Sequence, residues 1–531
     1  MQPWQIVLVT LIGGLTGIES VLDEWQWHRP ILACTLIGLA LGNISIGLHV
    51  GAVLELVALG WMNIGASQSP DTALASMIAT ILAIEGGHDI NEAIALAIPV
   101  AVAGNLTTVV VRTLTVYFQH QADRIVPTSS RFYLSFLHFT ALTLQALRVA
   151  IPTFLFAMFI NREMILHLFH ILPATLMNGF TAASGFIVVV GYAMVIQLLQ
   201  AGKLMPYFFL GFLVADFSKI TLVGSGLLAV CLAILHVWVW RSPPVPVGDK
   251  NFTTPVEETK APVRFLPRSI LWRTFLRSQF QQGSWNYERM QSLGYVYILE
   301  PTLDFLYQNP VNKTLRKQRH LEFYNTNPYI SNVVTGINMA LEERLETTHQ
   351  DSFDRLITSI KLGMMGPMAG VGDSIFWGTL RPLLGSVAAT LALRGSLLGP
   401  IFFFVAWNVT RLVTLGGLLL YGYQLGVRTV RVIASGVLRQ VTEAATVVGL
   451  VVMGGLVADW VEVKFAVQWS TGAGHVMTLQ HVLDMLMPGL PKLALVFFTL
   501  WLLRRGFGSV QVILLLFVFA IVGVWVHLLA P

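Results

Sequence analysis

Five short polar islands interrupt this apolar chain, and their side chains are of the kinds that bind hydroxyl groups. Leu22–Pro30 reads LDEWQWHRP and crowds Asp23, Glu24, Gln26, His28 and Arg29 into seven residues. Glu55 and then Gly60–Asp71 form a second island, with Asn63, Ser67, Gln68 and Asp71 set among glycine and alanine. Phe280–Gln291 holds Gln282, Trp285, Asn286, Glu288 and Arg289, and Arg319–Pro328 holds His320, Glu322, Asn325 and Asn327. Gly363–Arg381 is a glycine-rich strip with one acid, Asp373, followed by Trp377. Carboxylates and amides satisfy hydroxyls in pairs, and an indole face covers the C–H face of a sugar ring. An ionisable group at membrane depth costs roughly 2.5–3.5 kcal/mol even on the lenient insertion scale. Together the islands point to a binding site for a small, polar, uncharged solute. The competing readings are plainer. The first island also reads as an interfacial loop whose Trp25 and Trp27 join an aromatic belt, though two islands so close together read better as one site. The later ones read as polar groups that hold two parts of the chain together.

Other chemistries fit poorly. Gly370-Val371-Gly372 is too short for a dinucleotide fingerprint, and no Walker lysine follows it. His320-Leu321-Glu322 lacks the spacing that sets two imidazoles on one helix face. His167 and His170 share a face without an acid or thiol to complete a metal set. No nucleophile elbow occurs, and Cys34 and Cys231 lie inside apolar runs and form no motif. No catalytic residue, metal ligand or cofactor is expected on this chain.

The elements that position these residues must be membrane helices. The chain is 55% hydrophobic and 11% charged, with a mean hydropathy of +0.69, where soluble domains carry about 25% charged residues. Apolar runs recur throughout, from Ile6–Ile18 and Ile94–Val111 to Leu222–Trp240, Leu493–Leu503 and Val510–Val526. Some approach the roughly 20 residues that a span requires; shorter ones broken by Gly or Pro suit re-entrant or broken helices. The expected fold is an all-α polytopic membrane protein in two membrane-embedded halves. The break falls at Ser242–Lys260, SPPVPVGDKNFTTPVEETK. Up to Arg241 nine Lys/Arg face eleven Asp/Glu, and the remainder has twenty-four against seventeen. Basic segments at Lys250–Arg277 and Lys313–Arg319 therefore belong in the cytoplasm. No basic stripe interleaved with aromatics suggests nucleic acid. Trp4–Ile18 is expected to be a retained span.

The islands also carry a family resemblance. VLDEWQWHRP, LELVALGWMNIGA, GYAMVIQLLQAGKLMPYFFLGF and IVLVT resemble the IIC component of the mannose-family sugar phosphotransferase system. QFQQGSWNYERMQSLG, RHLEFYNTNPYI, ALEE, IKLGMMGPMAGVGDSIFWGT, GSLLGPIFFF and LMPGLPKLAL resemble its IID component. These two resemblances divide the chain into a IIC-like permease domain at 1–241, a cytoplasmic linker at 242–262 and a IID-like domain at 263–531. They imply a multi-pass protein of the bacterial inner membrane, embedded in lipid and assembled as a homotrimer whose mobile core regions move in an elevator-like cycle. The pair would carry a mannose-type hexose or amino sugar for phosphorylation by a cytoplasmic IIB protein, itself phosphorylated by IIA. Neither IIC nor IID is phosphorylated in that family.

Expected sugar-binding residues are Asp23, Glu24, Asn63 and Asp71 with Gln5 and Glu55 on the IIC side. On the IID side they are Trp285, Asn286, Glu288, His320, Glu322, Asn325 and Asp373. The chain departs from the family pattern at Trp25 and Trp27, which stand for phenylalanines and enlarge a wall. Ser374 stands for a proline, which would loosen the start of a following helix. A proton-coupled symporter using Asp23 or Glu55 is the alternative from another class. A non-transporting surface receptor is a third.

Overall fold

A computed structural model describes residues 1–62, 69–87, 89–126, 131–159, 174–186, 188–199, 202–218, 222–239, 266–348, 351–426, 437–470 and 476–530. Asn63, His167, His170 and the linker at 242–262 lie outside the described residues. The first half comprises α1 (Pro3–Leu22), α2 (Pro30–Leu41), α3 (Ile44–Val57), α4 (Thr72–Gly86), α5 (Ile90–Ile125) and α6 (Arg131–Phe159). It continues with α7 (Ala174–Phe186), α8 (Val188–Leu198), α9 (Met205–Ser218) and α10 (Leu222–Val239). The second half opens with α11 (Arg268–Ser278), α12 (Ser292–Leu306), α13 (Pro310–His320) and α14 (Ser331–Thr348). There follow α15 (Asp351–Gly372), a π-helical segment at Asp373–Leu380, α16 (Arg381–Leu393), α17 (Leu398–Leu425) and α18 (Val437–Trp460). A small hairpin of β1 (Gln468–Ser470) and β2 (Val476–Thr478) leads to α19 (Leu479–Leu486), α20 (Leu490–Arg504) and α21 (Ser509–Trp525).

Among the described residues, six helical stretches are long and apolar enough to cross a membrane. The pair α19 and α20, bent by 84°, forms a broken span or re-entrant loop. The fold is thus an all-α polytopic membrane protein. Helix α5 displays the pattern most plainly. Leu106, Val110, Leu114 and Tyr117 are exposed on one side, while Thr108, Arg112, Thr115 and Gln119 are buried on the other. Apolar groups outward and polar groups inward is the reverse of a soluble helix, and it marks a wall that faces a polar interior. Helices α2, α3 and α4 have 12, 14 and 15 residues, too short to span, and they are packed inside the longer ones.

Local signals set the helix ends. Pro30 opens α2 and Gly42 closes it at φ 81°, the positive φ that glycine adopts without strain. The Asn43 side chain accepts the Ile46 N–H to start α3, and the Asp71 carboxylate accepts the Leu74 N–H to start α4.

The halves interleave, and one apolar core runs through both. Helix α9 lies along α18, α10 also packs on α18, α16 lies on α3, and α21 lies on α7. At the α9–α18 crossing a Cβ on Gly211 would sit 2.1 Å from the Val451 carbonyl oxygen, and one on Gly454 2.1 Å from that of Phe208. Membrane helices come this close only through small residues, because lipid supplies no hydrophobic force between them. Gly454→Val should therefore force the halves apart, at a cost of at least about 1–3 kcal/mol. The detergent-solubilised protein should melt several degrees earlier; an unchanged melt would rule out this crossing as the joint.

Ser374 does not start a helix. It is the second residue of the π-helical segment inside a continuous stretch from Leu356 to Leu393. Within it the Thr379 hydroxyl lies 2.9 Å from both the Ser374 and the Ala445 carbonyl oxygens. The effect expected for the missing proline thus has no helix start to act on. Inserted π turns recur at functional sites because they turn side chains off the regular helical face.

Candidate functional site

The Asp23–Arg29 segment folds into a tight buried turn between the halves. Asp23 and Gln26 both take positive φ, 55° and 68°, a strained conformation for residues with a Cβ. Internal bonds hold it. The Gln26 amide donates to the Asp23 carboxylate and carbonyl, each at 2.9 Å, and the Gln26 N–H reaches the Glu19 carboxylate at 2.8 Å. Asp23 is 8% exposed and Glu24 1%.

Side chains of the second half grip this turn. Arg381 donates to the Asp23 carboxylate and the Tyr329 hydroxyl to the Asp23 carbonyl. Arg411 donates to Glu24 at 2.9 Å, and the Trp407 indole N–H to the Glu24 carbonyl at 3.0 Å. Gln282 reaches the Leu22 carbonyl at 2.8 Å. Arg381 stacks 3.8 Å over Trp377. The island is not a water-facing interfacial loop; it is buried at the joint of the halves.

Two cavities meet at this joint. The first lies between the halves and has a volume of about 40 Å³. Its wall combines Ser20, Asp23 and Arg112 from the first half with Trp285, Asn325 and Asp373 from the second, together with Gln282, Gln291, Asn327 and Trp377. The second, about 30 Å³, lies among Trp61, Asp71, Thr108, Arg148, His28 and Arg381, and shares Ser20 and Asp23 with the first. A water takes roughly 10–15 Å³ by this measure, so each cavity as it stands holds a few waters and a sugar must part the walls.

The polar lining is braced from behind. The Asn327 amide donates to Asp373 at 2.9 Å, and Gly372 makes room for it, since a Cβ there would lie 2.4 Å from the Asn327 side chain. Gln291 spans Thr326, donating to its carbonyl at 2.8 Å and accepting its N–H at 3.2 Å. Asp71 caps α4 with one oxygen and receives Arg148 on the other.

Of the expected residues, the structure brings Asp23, Trp285, Asn325 and Asp373 together around the first cavity and places Asp71 in the second. Glu24 pairs with Arg411 in the joint, and Glu55 receives Arg29 at 2.9 Å in the interior of the first half. Gln5 reaches the Leu41 carbonyl at 3.3 Å, at the far end of α1. Asn286 shapes its own loop by accepting the N–H groups of Glu288 and Arg289 at 3.0 and 2.9 Å, and Glu288 meets His120 at 2.7 Å on the surface. Trp25 packs on Phe280 and Trp27 on Phe404, and neither lines either of these two cavities.

His320 and Glu322 lie beyond the cavities, where α13, α14 and α15 meet. The His320 imidazole donates to Glu342 at 2.7 Å, Arg319 pairs with the same carboxylate, and Lys361 donates to the carbonyls of His320 and Glu322 at 3.1 and 3.0 Å. Burial holds His320 down at about 4, against the pull of Glu342. Burial alone would raise Glu342, but the bond from His320 and the charge of Arg319 hold it at about 2. Both groups bind protons more readily when unfolded, so both stabilise the fold at neutral pH and lose that contribution in acid. The His320 part should fade between pH 6.5 and 4 and the Glu342 part between 4.5 and 2. Amide exchange in α13 and α14, corrected for intrinsic rates, should accelerate on going from pH 6.5 to 4. Protection that stays flat over that window would contradict the pairing.

Sequence reasoning passed over Arg112 and Arg381. The signal was present: each is a lone arginine in an apolar run, TTVVVRTLTV and FWGTLRPLLG, and an intramembrane charge is a site hypothesis by default.

A helical membrane protein with two adjoining polar cavities at the joint of interleaved halves fits the class of membrane transport proteins. The family described as "PTS system sorbose-specific iic component" matches residues 3–235, and that described as "PTS system mannose/fructose/sorbose family IID component" matches 266–529. The first half is 47% identical over 233 residues, 44% of this chain, to the mannose-specific EIIC component of Escherichia coli (strain K12), covering 88% of it. It is 48% identical over 233 residues, again 44% of this chain, to the sorbose-specific EIIC component of Lacticaseibacillus casei, covering 84%. The second half is 44% identical over 266 residues, 49% of this chain, to the mannose-specific EIID component of Escherichia coli (strain K12), covering 93%. This chain belongs to the mannose/fructose/sorbose family of the sugar phosphotransferase system, with its IIC and IID membrane components fused in one polypeptide. It is accordingly an integral membrane protein of the inner membrane.

Proposed function

We propose that this chain is the translocation unit for a mannose-type hexose or amino sugar, delivering it to a separate IIB protein for phosphorylation. The observation that carries this reading is the pair of cavities sharing Asp23, lined by carboxylates, amides and indoles from both halves. The sugar-binding set is Asp23, Asp71, Trp285, Asn325 and Asp373, with Asn63 beside Met62 in the chain. Glu24 holds the joint, while Asn286, Glu288, His320, Glu322, Gln5 and Glu55 lie outside the two cavities. The domains are 1–241 and 263–531, tethered through 242–262, and three copies assemble in the lipid.

Phosphorylation makes uptake one-way, because a charged sugar phosphate has no favourable path back through an apolar wall. Family membership does not favour a proton-coupled symporter. The test is reconstitution in vesicles with phosphorylated IIB and a panel of labelled sugars. Sugar phosphate should form inside, and only with IIB present. Accumulation of unmodified sugar without IIB, abolished when the proton gradient collapses, would overturn the reading.

A further inference from the structure

Two opposite charges line the first cavity, and neither is in an ion pair among the described residues. Arg112 is 4% exposed, its guanidinium lies 4.5 Å over the Trp285 ring, and its Nε has no acceptor. Asp373 has only the Asn327 amide. The other buried arginines are matched: Arg29 with Glu55, Arg148 with Asp71, Arg381 with Asp23 and Arg411 with Glu24. A buried guanidinium without a carboxylate is costly to keep. Arg112 belongs to the first half and Asp373 to the second, yet both line one cavity and form no ion pair with each other. Arginine only donates hydrogen bonds and an ionised carboxylate only accepts them, whereas a hydroxyl does both.

Building on the transport reading, we propose that Arg112 and Asp373 form a divided pair completed by the substrate. Arg112 donates to oxygens at one side of a neutral hexose, and hydroxyls at the other side donate to Asp373. The bound sugar then links the halves through hydrogen bonds to both charges. The arrangement also sets selectivity: a protonated amino group is repelled by Arg112 and attracted by Asp373, so the balance between the two decides between a neutral hexose and a cationic amino sugar.

The test uses the full chain in lipid nanodiscs, with mannose and glucosamine as probes and binding read by calorimetry. Arg112→Gln and Asp373→Asn should each weaken mannose binding about ten- to a hundredfold, the range expected for a lost hydrogen bond to a charged group. The glucosamine-to-mannose affinity ratio should rise in Arg112→Gln and fall in Asp373→Asn. Without sugar, Arg112→Gln should melt no earlier than the parent, because it removes an uncompensated buried charge. A variant that melts earlier while binding mannose normally would make Arg112 a packing residue and overturn the proposal. So would an unchanged ratio in both variants. If Arg112→Gln does not assemble, Asp373→Asn decides by the fall in ratio alone. Normal mannose binding by the parent alongside unaffected variants would defeat the divided pair and leave the transport reading standing. A parent chain that binds neither sugar would defeat both.

Discussion

Arg411→Met is expected to destabilise the assembled protein by about 3–5 kcal/mol, the usual cost of leaving one member of a buried ion pair without its partner. Arg411 and Glu24 are 2.9 Å apart, and both side chains are 1% exposed. One Glu24 oxygen already lacks a hydrogen-bond partner among the described residues, so the remaining carboxylate has nothing to turn to. Arg411 also donates to Gln279 and, at 3.2 Å, to the Asn408 side chain, and its guanidinium lies 5.3 Å over Trp25. Its loss would loosen the grip of α17 on the turn after α1. Glu24→Gln in the same background should recover most of the loss, because the amide carries no charge to desolvate. A double-mutant cycle on melting in detergent measures this coupling directly. An Arg411→Met protein that melts like the parent would show that the joint is held elsewhere.

The second large effect concerns uptake. Asp23→Asn should cut sugar phosphate formation about a hundredfold, equivalent to roughly 3 kcal/mol. Asp23 borders both cavities, so a solute passing from one to the other meets its carboxylate. The same group receives Arg381, which is fully buried and stacked on Trp377. Asparagine preserves the shape and leaves Arg381 without its counter-charge. Adding Arg381→Met should restore stability, since no unpaired charge remains, but not transport. Recovery of both would reduce Asp23 to a structural role.

Much of this was legible in the residues. Composition and apolar runs determined a polytopic helical membrane protein, because lipid leaves backbone polar groups no partners except those within helices or closed barrels. The islands marked every stretch from which the cavity lining of the second half comes. LDEWQWHRP stood out as a polar island, yet a loop and a site were both readings of the same letters. The choice depends on what lies opposite each side chain. For Asp23 that is Arg381, 358 positions away in the chain, and for Glu24 it is Arg411, 387 away.

His320 and Glu322 show the converse. Their residue types suit a sugar site, but the fold bonds the His320 imidazole to Glu342 and sets Lys361 against the backbone carbonyls of both, away from the two cavities. Arg112 carried a plain signal, a lone charge in an apolar run, but its significance lies in facing the cavity acids without an ion pair to any of them, which spacing along the chain does not reveal. Local order therefore determined the class of protein, its helices and the pool of residues from which a polar site is built. Tertiary structure alone decided which of them face a cavity and which brace the joint. The cause is physical: a buried charge takes its role from the groups within a few ångströms of it, and between two interleaved halves those groups come from distant parts of the chain.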